Sequence, residues 1–241
     1  MIPLGDENPT RSKPVVTIAL LIICCLIYLW QLSLGQEGQR AIYALGVIPA
    51  SLLEGRALPV SLQWVSPEMT VITSMFLHGG FLHLAGNMLY LWIFGDNIED
   101  ILGKVAFVLF YLACGIIAVF TQAIPEPDST IPMIGASGAI SGILGAYVVF
   151  FPKHKVRVAI PFGFFIQILR LPAYVVLLFW FIFQFISSIG AGTGGGVAFR
   201  AHIGGFIAGL VLGPVVAVLT KRLRKTRSEE RRVGKECRSR W

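Results

Sequence analysis

Six apolar segments, separated by polar connections, limit what this chain can fold into more than any other feature of its sequence. Most of them approach the ~20 residues that an α-helix needs to cross ~30 Å of hydrocarbon, and the second and fourth are shorter. Hydrophobic residues make up 55% of the chain and charged residues 14%, which is typical of a surface in contact with lipid. Because lipid solvates no backbone polar group, we predict an all-α polytopic membrane protein. Its six transmembrane helices are predicted at 15–34, 81–94, 105–124, 136–151, 173–189 and 201–219.

The fourth span is too short to cross the whole bilayer. At ~1.5 Å per residue it covers only ~24 Å, so its N-terminus, near Ser137, is predicted to lie below the membrane surface. A helix that begins at this depth has free N–H groups, which protein or water must satisfy. We therefore predict a water-filled cavity above Ser137.

The basic residues of the connections are distributed unequally between the two sides of the membrane. With the N-terminus inside, eleven of them fall on the cytoplasmic side and three on the opposite side, leaving the C-terminal tail aside. This positive-inside pattern predicts that both termini are cytoplasmic and that residues 1–14 form a cytoplasmic segment. Ser137, His83 and His202 then all fall in the outer half of the bilayer.

The membrane domain is predicted at 15–225, with a core at 70–219. Two stretches outside the spans have a different composition. Residues 35–70 mix apolar and polar side chains and predict an interfacial, partly helical outer loop. Residues 226–241 are highly charged and resemble a translated sequencing-library adapter, so we predict a non-native tail; a natural basic tail that binds anionic lipid is the alternative. The glycine-rich stretch 190–196 is predicted to be a mobile loop. The formal net charge of +7 gives no reason to expect a nucleic-acid partner.

A serine and a histidine open two of the predicted spans. Gly135-Ala136-Ser137-Gly138 begins the fourth span, and His202 begins the sixth. A serine hydroxyl is a poor nucleophile until a base takes its proton, so this pair at one membrane depth indicates a hydrolase that works inside the bilayer. Taken alone, a membrane serine is most often a packing residue, and a lone histidine also serves as a structural hydrogen-bonding group.

Small residues on the same two spans favour a close contact between them. Gly205 and Gly209 form a small-xxx-small face on the sixth span, and Gly138 begins a similar face on the fourth. Packing of these faces is predicted to bring the serine hydroxyl within hydrogen-bonding reach of His202.

A third polar group lies at the second span. His83 and Asn87 are four residues apart and share a helix face, while His78 lies near the mouth of the helix. Neutral imidazole and amide groups both donate hydrogen bonds, so this pair suits the stabilisation of a developing oxyanion. A zinc site built from His78, His83 and His202 is the alternative, but no carboxylate or thiolate is placed at the same depth. We expect neither a metal nor another cofactor.

The order of these motifs resembles that of the rhomboid family of intramembrane serine proteases. The resemblance covers about 70–219 and implies a rhomboid-like bundle of six transmembrane helices. It also implies a catalytic dyad of Ser137 and His202 without an aspartate, and an oxyanion hole made by His83, Asn87 and the Ser137 backbone N–H. Supporting roles are implied for residues of the same motifs, namely His78, Gly135, Gly138, Gly205 and Gly209.

The resemblance further implies a biological setting. Segments 76–80 and 95–100 are similar to a bacterial subgroup of the family, which implies the inner membrane of a bacterium. The implied activity is that of a serine endopeptidase, and the implied partners are the lipid bilayer and transmembrane proteins whose helices unwind near the outer face.

One position near the nucleophile departs from the family pattern. Some members carry an aromatic residue four positions after it, where the ring stacks on the catalytic histidine, whereas this chain has Ser141. We therefore expect other neighbours to orient His202. The alternative function is that of a catalytically silent rhomboid-like protein that binds transmembrane helices, and the retained site residues argue against it. A small-solute transporter has less support, because no charged residue sits in the middle of a span.

Overall fold

Every predicted span lies on a helix in the computed structural model, which describes residues 1–162, 165–190 and 198–238. The predicted mobile loop at 190–196 lies, beyond Gly190, outside the described residues. The helices in chain order are α1 (Val15–Ser33), α2 (Glu37–Leu45), α3 (Pro49–Leu52), α4 (Pro67–Thr73), α5 (Phe81–Leu102), α6 (Lys104–Ala123), α7 (Ser137–Phe150), α8 (Ala173–Gly190) and α9 (Phe199–Arg238). Short 3-10 turns at Val60–Leu62 and Ser74–Phe76 join the outer elements.

Three helices of the described part are long and apolar enough to cross a membrane by length and composition alone. They are Val15–Ser33, Lys104–Ala123 and the segment Phe199–Leu223 of α9, and α7 and α8 are apolar but shorter. The protein is therefore an integral, multi-pass membrane protein, while the number of six spans stays a prediction. The backbone of α9 continues to Arg238, and the foreign origin of residues 226–241 also stays a prediction.

Helix α5 is longer than the predicted second span. It runs 22 residues to Leu102, and its last two turns carry the carboxylates of Asp96, Glu99 and Asp100. These acidic residues excluded the segment from the apolar pattern, although they continue the helix. The Glu99 carboxylate accepts hydrogen bonds from the backbone N–H groups of Val16 and Thr17 at 3.0 and 2.8 Å. The end of α5 thus satisfies the free donors at the start of α1 and holds the two helices together.

A small sheet corrects the prediction of an all-α fold. Strands β1 (Ile2–Asp6), β2 (Lys155–Phe162) and β3 (Phe165–Pro172) form an antiparallel sheet in the order β1-β2-β3. Strand β2 begins with exposed Lys155 and Arg157 alternating with buried Val156 and Val158, the period-two pattern of a half-buried strand. The alternation lies in a short connection between two predicted spans, so the pattern of membrane spans does not predict this strand.

The opposite end of the bundle is built from the helices that follow α1 and from the segment before α7. Val47 and Met133 form a two-way backbone bridge, with N–H to oxygen distances of 3.0 and 2.7 Å. The Gly135 N–H donates to the Ser74 carbonyl at 2.8 Å. These two contacts hold the segment before α7 against the outer elements. The position of Ser137 therefore depends on both contacts.

Helix α7 lies at the centre of the described bundle, and every residue from Gly138 to Tyr147 is buried. Its nearest neighbour is α9, where Gly205 faces the Gly138 carbonyl and Gly209 faces the Gly142 carbonyl. A side chain at either glycine of α9 would collide with the backbone of α7. The predicted contact between the two small faces is therefore confirmed as a feature of the fold.

Candidate active site

Ser137 is the first residue of α7 and lies directly after a turn that requires glycine. Gly135 has a φ of 124°, in a region that residues with a side chain rarely adopt. A Cβ atom at Gly135 would also lie 2.8 Å from the Cε1 and Nε2 atoms of His83. The glycine therefore lets the chain turn into α7 while the His83 ring stays beside the serine.

His202 lies in the first turn of α9, with its side chain pointing toward α7. Its Nε2 atom is 2.8 Å from the Ser137 Oγ atom, and the residue is 8% exposed. The start of α9 is held in place by its neighbours, because Arg200 donates to Glu126 at 2.6 Å and the Ala201 N–H donates to the Gln122 side chain at 3.3 Å. The structure thus brings together two residues that are 65 positions apart in the sequence.

The neighbours of the His202 ring come from α8 and from the start of α9. The Trp180 ring lies 6.0 Å from it at an angle of 32°, and the Phe199 ring lies 6.4 Å away, nearly perpendicular. Its Nδ1 atom is 2.8 Å from the Oε1 atom of Gln184. Ser141 does not hydrogen-bond to the ring and donates its hydroxyl to the Ser137 carbonyl at 2.6 Å.

His83 and Asn87 line the same cavity from α5. The Gly79 N–H donates to His83 Nδ1 at 3.4 Å, so a neutral ring carries its proton on Nε2, the nitrogen that lies beside Gly135. The Nδ2 atom of Asn87 is buried and has no hydrogen-bond partner among the described residues. Asn87 therefore has a donor that no protein group uses, and the role of His83 and Asn87 as oxyanion donors stays a prediction.

His78 lies behind this pair and is almost completely buried. Its ring centroid is 5.3 Å from that of His83, and its backbone is held by the Gln31 side chain of α1 through hydrogen bonds of 3.2 and 3.1 Å. Both ring nitrogens lack a protein partner within the described part of the chain. The side chain therefore packs against His83 rather than facing the cavity.

A cavity of about 1100 Å³ joins these groups. The residues that line it include Ser137, His202, His83, Asn87 and Gln184. This volume is large enough for a segment of extended peptide, since ligand pockets commonly measure about 300 to 1000 Å³. Among the described residues, no group of three histidine, cysteine or acidic side chains is arranged to hold a metal ion.

Three neighbours of the site were missed from the sequence: Gln184, Trp180 and Gln31. Gln184 and Gln31 each place an amide in an apolar helix and are 7% and 5% exposed. A buried amide in a membrane helix is costly unless it has a hydrogen-bond partner. The position of each glutamine in an apolar segment therefore predicts a contact with another polar group. Trp180 carried no comparable signal, because aromatic residues surround it in the sequence.

Comparisons with known proteins identify the family of the chain. A family model described as the Rhomboid domain matches residues 66–218. Rhomboid protease GluP of Bacillus subtilis is 31% identical over 219 residues, which cover 88% of this chain and 38% of that protein. Rhomboid protein 1, mitochondrial, of Saccharomyces cerevisiae is 28% identical over 172 residues, which cover 68% of this chain and 46% of the relative.

The chain thus spans less than half the length of these two relatives. The matched region begins just before α4 and ends within α9, so it contains the serine, the histidines, the asparagine and the glutamine that line the cavity. Because this match extends over more than half of the sequence, the chain belongs to the rhomboid family.

Proposed function

We propose that this protein is an intramembrane serine endopeptidase that uses Ser137 as nucleophile and His202 as general base. The observation that carries the proposal is the 2.8 Å contact between His202 Nε2 and Ser137 Oγ at the wall of a large cavity. A nucleophile and a base within hydrogen-bonding distance are the minimum that acyl transfer requires.

The proposed reaction proceeds through an acyl-enzyme. His202 Nε2 takes the Ser137 proton while Oγ bonds to the peptide carbonyl carbon, and the carbonyl oxygen becomes an oxyanion. His83 Nε2–H, the Asn87 amide and the Ser137 backbone N–H donate to that oxyanion. Collapse of the intermediate breaks the peptide bond, and the leaving amine takes the proton back from His202. Water, activated by the same histidine, then hydrolyses the ester.

The proposed substrates are transmembrane helices. A membrane helix keeps its carbonyl groups in intrahelical hydrogen bonds, so its backbone must unwind before Ser137 can attack. The proposed orientation has the cavity toward the outer leaflet and both termini in the cytoplasm, and the positive-inside pattern supports it. The proposed location is the inner membrane of a bacterium. Exposed aromatic residues of α8, such as Phe179 and Phe183, suit a side by which substrates enter from lipid.

Covalent labelling tests whether the site is reactive. We expect a fluorophosphonate probe to label the purified protein in detergent, with the adduct mapped by mass spectrometry to Ser137, because such probes require an activated serine. Ser137→Ala abolishes the label, and Ser33→Ala, an exposed serine of α1, leaves it unchanged. An unlabelled wild-type protein that still binds a transmembrane helix would instead support the silent binding function.

The oxyanion donors are tested by replacing Asn87. We expect Asn87→Ala to lower kcat by about 10² to 10³ with little change in KM, since one lost oxyanion donor costs about 3 to 4 kcal/mol in the transition state. Asn97→Ala is the matched control on the same helix, because the Asn97 side chain donates to the Asn8 carbonyl, away from the cavity. Cleavage kinetics on a single-span substrate provide the measurement, and equal losses in the two variants would contradict the assignment.

A further inference from the structure

Gln184 holds the side of the His202 ring that faces away from the serine. Its Oε1 atom lies 2.8 Å from His202 Nδ1, while Nε2 of the same ring contacts Ser137. The glutamine is buried, at 7% exposed, and it occupies a helix that is otherwise rich in aromatic and aliphatic residues. The three side chains come from α7, α9 and α8, so each helix contributes one member.

We propose that Gln184 is a positioning residue that sets the tautomer and the orientation of His202. This inference rests on the proposed function, since a tautomer matters only if His202 acts as a base. It extends the two-residue dyad to a line of Ser137, His202 and Gln184, in which an amide takes the place that a carboxylate holds in a serine-histidine-aspartate triad.

The chemistry of the two groups determines where the proton lies. A neutral imidazole carries one N–H, and an amide oxygen only accepts hydrogen bonds. The contact with Gln184 Oε1 therefore places the proton on Nδ1 and leaves a lone pair on Nε2. That lone pair faces the Ser137 hydroxyl, which is the arrangement that a general base requires. The other tautomer would set two acceptors against each other at Nδ1.

Other contacts of the ring do not make this choice. Trp180 and Phe199 pack against the ring and restrict its tilt, but an aromatic surface does not distinguish one nitrogen from the other. Ser141 donates to the backbone instead. Within the described structure, the hydrogen bond to Gln184 is therefore the contact that selects Nδ1 as the donor.

An amide also suits the depth of the site better than a carboxylate. A buried charge inside the bilayer is costly, whereas a neutral amide with a hydrogen-bond partner is tolerated. When His202 takes the serine proton, the Nδ1–H bond to Gln184 becomes charge-assisted and shorter. The glutamine thus stabilises the imidazolium that forms during the reaction and leaves no unpaired charge in the resting state.

The test compares two substitutions of nearly equal size. Gln184→Leu removes the acceptor and is expected to lower kcat by about 10² with KM unchanged, because general-base catalysis contributes about 10² to 10⁴. Gln184→Glu keeps an oxygen in the same place and is expected to retain at least a tenth of the wild-type kcat. Ile186→Leu, at an exposed aliphatic residue of the same helix, is the control and is expected to leave kcat unchanged.

A second readout follows the tautomer directly. In protein labelled with ¹⁵N-histidine, we expect the His202 signals, assigned by their loss in His202→Ala, to show a protonated Nδ1 in the wild type. Gln184→Leu should shift them toward the Nε2-protonated form or a mixture, whereas Gln184→Glu should preserve the protonated Nδ1.

The two readouts separate this inference from the proposed function. An active enzyme in which Gln184→Leu changes neither kcat nor the tautomer would overturn the positioning role and leave the protease intact. A wild-type protein that shows the Nδ1 proton and its loss in Gln184→Leu, but neither labels nor cleaves, would support the positioning contact and overturn the proposed function. Equal losses of kcat in the leucine and glutamate variants, with an unchanged tautomer, would also overturn the inference.

Discussion

Ser137→Ala and His202→Ala are each expected to lower the rate of substrate cleavage by about 10⁴ or more. Without Oγ no acyl-enzyme forms, and without the imidazole the hydroxyl keeps its proton. The 2.8 Å contact between the two side chains means that they act as one unit, so the double variant is expected to lose no more than either single variant. Single-turnover cleavage of a single-span substrate in proteoliposomes measures these rates.

Matched controls exclude an indirect effect of the substitutions. His154→Ala removes an exposed histidine whose ring packs on Phe151 after α7, and we expect it to leave the rate unchanged. Thermal unfolding should differ little between wild type and Ser137→Ala, because only a hydroxyl is lost. If the losses of the two single variants add in the double variant, the residues act independently and the dyad is wrong.

Gly209→Ala is expected to lower the free energy of unfolding by about 3 kcal/mol, the upper part of the usual range for an overpacked interior. A Cβ atom at this position would meet the Gly142 carbonyl oxygen and lie 2.7 Å from the Gly142 Cα atom. Backbone atoms cannot move aside as a side chain does, so α9 must shift away from α7. We expect cleavage to fall as well, since the same shift separates His202 from Ser137.

Alanine at Gly86, in another helix of the bundle, is expected to change the free energy of unfolding in the opposite direction. Gly86 lies inside α5, and a Cβ atom there meets nothing within 4 Å. Gly86→Ala should therefore raise the free energy of unfolding by about 0.5 to 1 kcal/mol, through the better helix propensity of alanine. Unfolding of both variants in mixed micelles gives the comparison. Similar effects at the two positions would mean that the contact between α7 and α9 does not depend on glycine.

Much of the architecture followed from the sequence because the bilayer restricts the choice of structure. An apolar run in lipid must satisfy its own backbone hydrogen bonds, so it forms a helix, and all six predicted spans lie on helices. The elements that the sequence did not predict lie outside the apolar segments. The predicted spans do not include strand β2 or the acidic end of α5, because neither segment follows the pattern of a membrane span.

The candidate residues were predictable for a related reason. A serine, a histidine or an asparagine in an apolar segment is costly, so each one that is present stands out. Gln184 was equally conspicuous as a polar residue, yet the sequence does not say which group it meets. Its partner lies 18 positions away on another helix, and that pairing depends on how α8 and α9 are rotated about their own axes.

The sequence by itself therefore determined that the chain forms membrane helices, which polar residues they carry and to which family it belongs. Only the tertiary structure decided that His202 Nε2 faces Ser137 while Nδ1 faces Gln184. The physical reason is one of precision. Hydrophobic periodicity places a residue on a helix face to within a few ångströms, whereas a hydrogen bond requires its atoms to be placed within a few tenths of an ångström. In this protein that precision comes from the contact of Gly205 and Gly209 with the backbone of α7.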